Sequence, residues 1–475
     1  MRTALPSEAS DVALTRGGTL LEDTPAAPAV ELTGRRHWIE DWRPEDREFW
    51  DGGGDRIARR NLVQSVFSEH VGFSIWAMWS VFVLFLEPDY GIDPSQKFLL
   101  TTVPAAVGAA MRIPYTFAVA KFGGRNWTIV SGLLLFIPMV AAAITLRPGV
   151  SFGALLAAAA LAGFGGGNFS SSMSNIDSFY PQRLKGWALG INAGGGNIGV
   201  AAVQLVGLAV LATAGAAHPR IILGVYMPLV ALSVLGAALR MDNIAGLTNE
   251  RRAMRDVCRE PMAWVICVLY IGTFGTFIGF SFAFGQVLQV QFADTFDTPL
   301  KAAYLTFLGP LLGSLIRPVG GRLADRFSGS TITLYTFVAM AVGAGVVLFA
   351  SSTGSLPMFI VGFVMLFVLS GLGNGSTYKM IPAIFRAREH LAVAEGQNPE
   401  VAARNARRLS GALIGIAGAV GTFGGVAVNL AFRQSFLESG TGDAAYMAFI
   451  GWYAICFIVT WAIFRRRSPG RLAGV

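Results

Sequence analysis

Charge is what this sequence has least of. Only 14% of its 475 residues are Asp, Glu, Lys or Arg, against about 25% in a soluble domain. Apolar residues make up 53%, and mean hydropathy is +0.54. Length alone would suggest about three soluble domains, but this balance leaves too little polar surface to clothe them. Cysteine is also scarce. Cys258, Cys267 and Cys456 form no CxxC pair and no even set, which excludes a disulfide framework. The four histidines, His37, His70, His218 and His390, lie far apart, so no metal site is expected. Residues 1–30 lack an apolar core of about 7–15 residues, so no secretory leader is expected. No buried His or carboxylate pair and no nucleophile–base arrangement is visible, which argues against an enzyme. GxG patterns lie in apolar helices rather than βαβ units, and no cofactor is expected.

What the sequence does have is long apolar runs. About 20 such residues cross a bilayer as a helix, and twelve runs qualify: 62–86, 96–120, 126–146, 151–176, 186–213, 218–239, 261–289, 302–324, 331–350, 356–385, 409–432 and 445–464. The expected fold class is an all-α membrane protein, with twelve transmembrane helices in two six-helix pseudo-symmetric halves. Residues 1–61 then form an N-terminal tail, 62–239 the first half, 240–260 a linker, 261–464 the second half and 465–475 a C-terminal tail. Within the first tail, HWIEDWRPEDREFW (His37–Trp50) mixes acids, bases and three tryptophans. It reads as a cytosolic or interfacial segment, with a partner-binding motif as the alternative.

The formal charge of +8 would suggest nucleic-acid binding in a soluble protein. Placing the N-terminus inside puts 29 of the 37 Lys and Arg in inner segments and five, Lys97, Arg147, Arg220, Lys301 and Arg433, in outer loops. That bias is the positive-inside signature. It predicts both termini in the cytoplasm of a multi-pass inner membrane protein and removes the nucleic-acid reading. Three basic residues remain inside helices: Arg112, Arg317 and Lys379.

Two of these belong to a repeat. The second span reads GAAMRIP (Gly108–Pro114) and the eighth GSLIRPV (Gly313–Val319), at an offset of 205 residues. The fourth and tenth spans match as GFGGGN and GLGNGS, with Gly163, Gly165 and Gly167 aligned on Gly371, Gly373 and Gly375 at an offset of 208. Such matches argue for a duplicated unit about an axis along the membrane normal. After the eighth span, GGRLADRFSG (Gly320–Gly329) resembles the loop motif of the major facilitator superfamily. Asp325 and Arg326 in it are read as a structural latch at the cytoplasmic face.

Arg112 and Arg317 lie roughly 24 Å into their helices, past the midplane. A central arginine costs about 2.5–3.5 kcal/mol on insertion scales. Snorkelling is one explanation; a symmetric pair favours a functional one. Glu69 is the one acid inside a span, and the second to twelfth spans offer no carboxylate to pair with either arginine. A small planar anion matches the planar donor fork of guanidinium.

Glycine accounts for 57 residues and concentrates in GWALGINAGGGNIG (Gly186–Gly199) and GALIGIAGAVGTFGG (Gly411–Gly425). Gly190, Gly194, Gly196, Gly199, Gly418 and Gly421 are expected to allow close helix packing, static or in support of rocking between halves. Asn192 and Asn197 are polar groups able to reach substrate or a neighbouring helix.

The stretch Gly163–Gly199, with GNGSTYKMIPAIF (Gly373–Phe385), resembles the nitrate/nitrite porter family (NarK type) of the major facilitator superfamily, over residues 62–464. The resemblance implies an anion site on the pore axis with one arginine from each half, matching Arg112 and Arg317. It implies an aromatic sandwich, matched by Phe169 and Phe274 with Tyr270 one turn earlier. Asn197 and Ser376 are further substrate-binding candidates. The partners implied are nitrate, nitrite and membrane lipid, and a monomer is expected.

The expected mechanism is alternating access, most simply nitrate/nitrite antiport, because an empty site with two unneutralised arginines resists rocking. Nitrate/proton symport is the alternative, with Glu69, His70 and Lys379 as possible coupling groups. An anion channel is the alternative of a different class.

Overall fold

The computed structural model describes residues 37–247 and 251–466. Twelve of its helices are long and apolar enough to cross a membrane. The first half comprises α1 (Asp55–Phe85), α2 (Pro94–Phe122), α3 (Gly124–Thr145), α4 (Phe152–Phe179), α5 (Gln182–Ala214) and α6 (Arg220–Arg240). The second comprises α7 (Pro261–Gln291), α8 (Pro299–Phe327), α9 (Gly329–Thr353), α10 (Leu356–Ala394), α11 (Pro399–Ser439) and α12 (Asp443–Arg465). Each corresponds to one expected run. The differences lie at polar ends: α1 begins at Asp55 rather than 62, α10 runs on to Ala394 and α11 starts at Pro399. Hydropathy marks only the apolar part of a helix, whereas the Arg- and Ala-rich flanks are good helix formers in their own right.

Helix starts are chemically marked. Asp93 and Gln96 form a reciprocal capping box at α2, Ser151 caps α4 and Asn398 caps α11. Proline follows the cap in α2, α7, α8, α10 and α11, where its missing N–H is no loss.

The repeat is visible in packing. A Cβ on Gly163 would meet Val107 and the Gly108 backbone, and one on Gly371 would lie 2.1 Å from the Gly313 carbonyl oxygen. These are the repeat-matched pairs α4 on α2 and α10 on α8. Gly165 is as tight, 2.2 Å from the Gly72 carbonyl oxygen. Only glycine lets backbones approach so closely. The halves meet where α1, α2 and α5 face α7, α8 and α11.

The segment His37–Trp50 packs against the first half. Strand β1 (Trp38–Ile39) pairs in parallel with β2 (Asn243–Ile244) of the linker. Trp42 packs edge-on against Phe49 and Phe179, and Trp50 forms a tilted ring pair with Tyr180. Glu45 accepts a hydrogen bond from the Gln182 N–H at the start of α5. Buried Asp242 holds this corner, accepting from Arg60 at 2.5 Å and Asn61 at 3.0 Å, with His37 Nδ1 at 3.6 Å. Farther along the linker, a short helix (Arg251–Cys258) and Glu260 bind the second half through Asp256–Arg408 and Glu260–Arg388 pairs.

Candidate anion-binding site

Arg112 and Arg317 lie on α2 and α8 and are 0% and 6% exposed. Neither forms an ion pair with a carboxylate among the described residues. Arg112 Nε donates to the Gly166 carbonyl at 3.2 Å, within its own half. Its Nη1 donates to the Gly418 carbonyl of α11 at 2.9 Å, across the two halves. Its Nη2 is buried without a partner among the described residues. Arg317 Nη2 lies 3.5 Å from the Tyr270 hydroxyl oxygen, and its Nη1 is likewise unpartnered. Two buried guanidinium groups thus each keep a donor in reserve, which is costly unless an acceptor arrives.

A column of rings joins them. Phe169 and Phe274 stack at 6.2 Å and 26°, and Phe274 stacks on Tyr270 at 5.2 Å and 15°. The Arg112 guanidinium is 4.5 Å from the Phe169 ring centre and 5.1 Å from that of Phe274. Arg112 and Arg317, expected from the repeat, and Phe169 and Phe274, implied by the family resemblance, therefore converge, and Tyr270 links the column to Arg317. Phe274 lies in a π-turn of α7, Ile271–Gly275, a feature common at functional sites. Two rings escaped the sequence reading. Trp76 of α1 lies 5.6 Å from the Arg112 guanidinium, and its indole N–H donates to the Pro104 carbonyl. Tyr378 of α10 lies 5.6 Å from the Arg317 guanidinium, and its hydroxyl is unpartnered among the described residues. The signal for Tyr378 was its place in GNGSTYK beside the matched glycines; Trp76 had no motif.

The other candidates divide. Asn197 is buried in α5 with both amide atoms unpartnered among the described residues. Ser376, expected at the anion, instead bonds Thr333 of α9 at 2.8 Å and the Gly373 carbonyl at 3.1 Å. A hydroxyl on a helix between two neighbours takes the nearest partner. Gly196 lies against Glu69, Gly199 against the His70 carbonyl and Gly421 against Tyr270. Gly418 borders Arg112 and Phe169. Gly190 and Gly194 correct the packing expectation: a Cβ on either would meet nothing within 4 Å.

Among the coupling candidates, Lys379 is partly exposed and pairs with Asp325 at 2.9 Å, tying α10 to α8. Asp325, read from the sequence as part of a latch, is thus paired with a lysine of α10. Arg326 rests 5.1 Å from the centre of the Phe327 ring. Glu69 is fully buried in α1 and accepts from Ser172 Oγ of α4 at 2.5 Å and Asn192 Nδ2 of α5 at 2.7 Å. His70 Nδ1 lies 3.2 Å from the Gly195 carbonyl oxygen. Among the described residues, no group of His, Cys, Asp and Glu is arranged to hold a metal.

A cavity of about 270 Å³ extends from Phe169, Ser170 and Met173 to Leu247 and Met254 of the linker and Arg407 of α11. Of the site residues, Phe169 lines this cavity, which lies on the linker side.

Residues 71–393 match the family model described as Major Facilitator Superfamily. The chain is 36% identical over 455 residues to the nitrate/nitrite transporter NarU of Salmonella typhimurium, covering 91% of this chain and 97% of that one. The chain belongs to the nitrate/nitrite porters of the major facilitator superfamily. It is 31% identical over 456 residues to the probable nitrate/nitrite antiporter NarK2 of Thermus thermophilus, again covering 91% and 97%. Among solved structures, the nucleoside transporter NupG superposes with a TM-score of 0.59 at 12% identity, over 85% of this chain and all of that one, which is a likeness of fold. As a member of this family the chain is a membrane transporter and not an enzyme.

Proposed function

We propose that this chain carries nitrate and nitrite across the cytoplasmic membrane by alternating access, exchanging one for the other, with Arg112 and Arg317 binding the anion. The observation that supports this most is the pair of buried guanidinium groups, one from each half, each with an unpartnered Nη. A planar monoanion supplies the missing acceptors and neutralises the pair, while Phe169, Phe274 and Tyr270 offer it flat apolar faces. Asn197, also unpartnered, is a further donor for it.

The exchange requirement follows from Arg112. Without substrate, its Nη1 binds the Gly418 carbonyl of the other half. An anion competes for that donor and loosens a bond between the halves. An unloaded carrier keeps the bond and two uncompensated charges, so its return is slow. The arginine-rich linker face is assigned to the cytoplasm, and the carrier works as a monomer.

Buried Glu69 favours a second reading, nitrate/proton symport. Its bonds to Ser172 and Asn192 hold it within the first half. The test is flux in proteoliposomes with nitrate outside, with and without internal nitrite, at set pH gradients. Antiport predicts uptake only with an internal anion. Uptake without one that follows the proton gradient overturns antiport in favour of symport, and non-saturating flux indicates a channel.

A further inference from the structure

On the face away from the linker, three helices of the first half converge on one short stretch of α7, Gly279–Phe282. From α5, Gln204 Nε2 donates to the Ser281 carbonyl at 2.9 Å. From α1, Trp76 packs edge-on against Phe282, ring centres 5.1 Å apart. From α2, Thr101 Oγ donates to Asn429 Oδ1 of α11 at 3.0 Å, and Asn429 Nδ2 donates in turn to the Gly279 carbonyl at 3.2 Å.

We propose that the face opposite the linker opens at this junction, and that Thr101, Gln204 and Asn429 are positioning residues that set how often it does. This rests on the alternating-access part of the proposed function and is independent of which anion is carried. The polar groups act in opposite directions. Asn429 is fully satisfied when the seam is shut: Oδ1 accepts from Thr101, and Nδ2 reaches the Gly279 and Gly425 carbonyls. It favours closure. Gln204 is 3% exposed, and its Oε1 has no partner among the described residues. Opening exchanges its Nε2 bond to the Ser281 carbonyl for one to water and gives the unsatisfied Oε1 a partner it lacks when shut, so Gln204 favours opening. Gln286, which joins α7 to the Pro94 carbonyl at the start of α2, also has an unpartnered Oε1.

The experiment reads opening directly, without substrate. Leu84 of α1 is buried beside the Cβ position of Gly285 on α7. Leu84→Cys, in a chain with Cys258, Cys267 and Cys456 replaced by Ala, is reconstituted and labelled by a membrane-impermeant maleimide from the face opposite the linker. Thr101→Val removes the donor to Asn429 and should raise the labelling rate about threefold, the worth of one hydrogen bond within a membrane protein. Gln204→Leu should lower the rate by about as much. Thr101→Ser, which keeps the donor, should label like the parent, and the Thr101→Val/Gln204→Leu double variant should return towards the parent rate. Shifts in the same direction, or unchanged rates in both single variants at parental melting temperatures, would overturn the proposal. Opposite shifts in a chain that fails to exchange nitrate and nitrite would leave the junction standing and count against the substrate assignment alone.

Discussion

Arg112→Lys keeps the positive charge and removes the fork. In the structure Arg112 spends Nε on Gly166 and Nη1 on Gly418, and keeps Nη2 in reserve. These three nitrogens are spread over a rigid plane. A lysine gathers its donors on one atom, at the end of a stem that does not follow that plane. It cannot hold both carbonyls and the anion at the same time, so at least one charge-assisted hydrogen bond is lost. Such a bond is worth about 1.5–3 kcal/mol, which predicts about 10- to 150-fold weaker nitrate binding. The guanidinium contacts with Phe169 and Phe274 at 4.5 and 5.1 Å weaken as well. Affinity is measured by calorimetry on the purified protein, and exchange by nitrate–nitrite counterflow in proteoliposomes. Melting temperature controls for folding. Arg317→Lys should behave similarly, through loss of its contact with Tyr270 and of its unpartnered Nη1. Affinities within about twofold of wild type for both variants, with normal melting, would refute the site.

Three further changes probe separate parts of the argument. Phe274→Leu removes one face of the ring column and should weaken nitrate binding by about 2- to 10-fold, the worth of one aromatic stack, while melting changes little. Gly371→Ala drives a Cβ to 2.1 Å from the Gly313 carbonyl oxygen; backbone cannot give way easily, so thermal unfolding should show a loss of about 1–3 kcal/mol. The repeat predicts a similar loss for Gly163→Ala. Asp242→Asn leaves Arg60 without its charged acceptor at a 2%-exposed position and should cost about 1.5–3 kcal/mol, with earlier protease cleavage near residues 37–50, while anion affinity is unchanged.

The helices and the arginine pair were legible because bilayer physics writes them in composition. A span must be apolar over its whole length, so Arg112 and Arg317 stand out against it. The repeat then paired them, whereas Phe169, Phe274 and Tyr270 were named only through the family resemblance, since nothing in composition or spacing marks those three rings. Ser376 was not legible, because a helical serine faces two neighbours and sequence does not say that Thr333 is nearer. Trp76 and Tyr378 were hidden for a similar reason: a ring in an apolar span, with or without a motif around it, does not reveal which cation it lies beside. The pairing of His37–Trp50 with the linker rests on two-residue strands and on His37 beside Asp242, which also binds Arg60 and Asn61 of α1 across some 180 residues of chain. Nothing local marks contacts that distant. Gly190 and Gly194 share their motif with Gly196 and Gly199 but face away from close neighbours, since a glycine-rich helix presents all of its sides.

Across the halves, Arg112 grips a main-chain carbonyl, that of Gly418. Every amino acid supplies that oxygen, so no side-chain replacement at position 418 deletes the acceptor. A saturation scan of α11 will therefore report the space around Gly418 and remain blind to the bond itself. Detecting it calls for altered backbone chemistry. An α-hydroxy acid in place of Ala419 turns the Gly418 carbonyl into that of an ester, a poorer acceptor, with every side chain near the site unchanged.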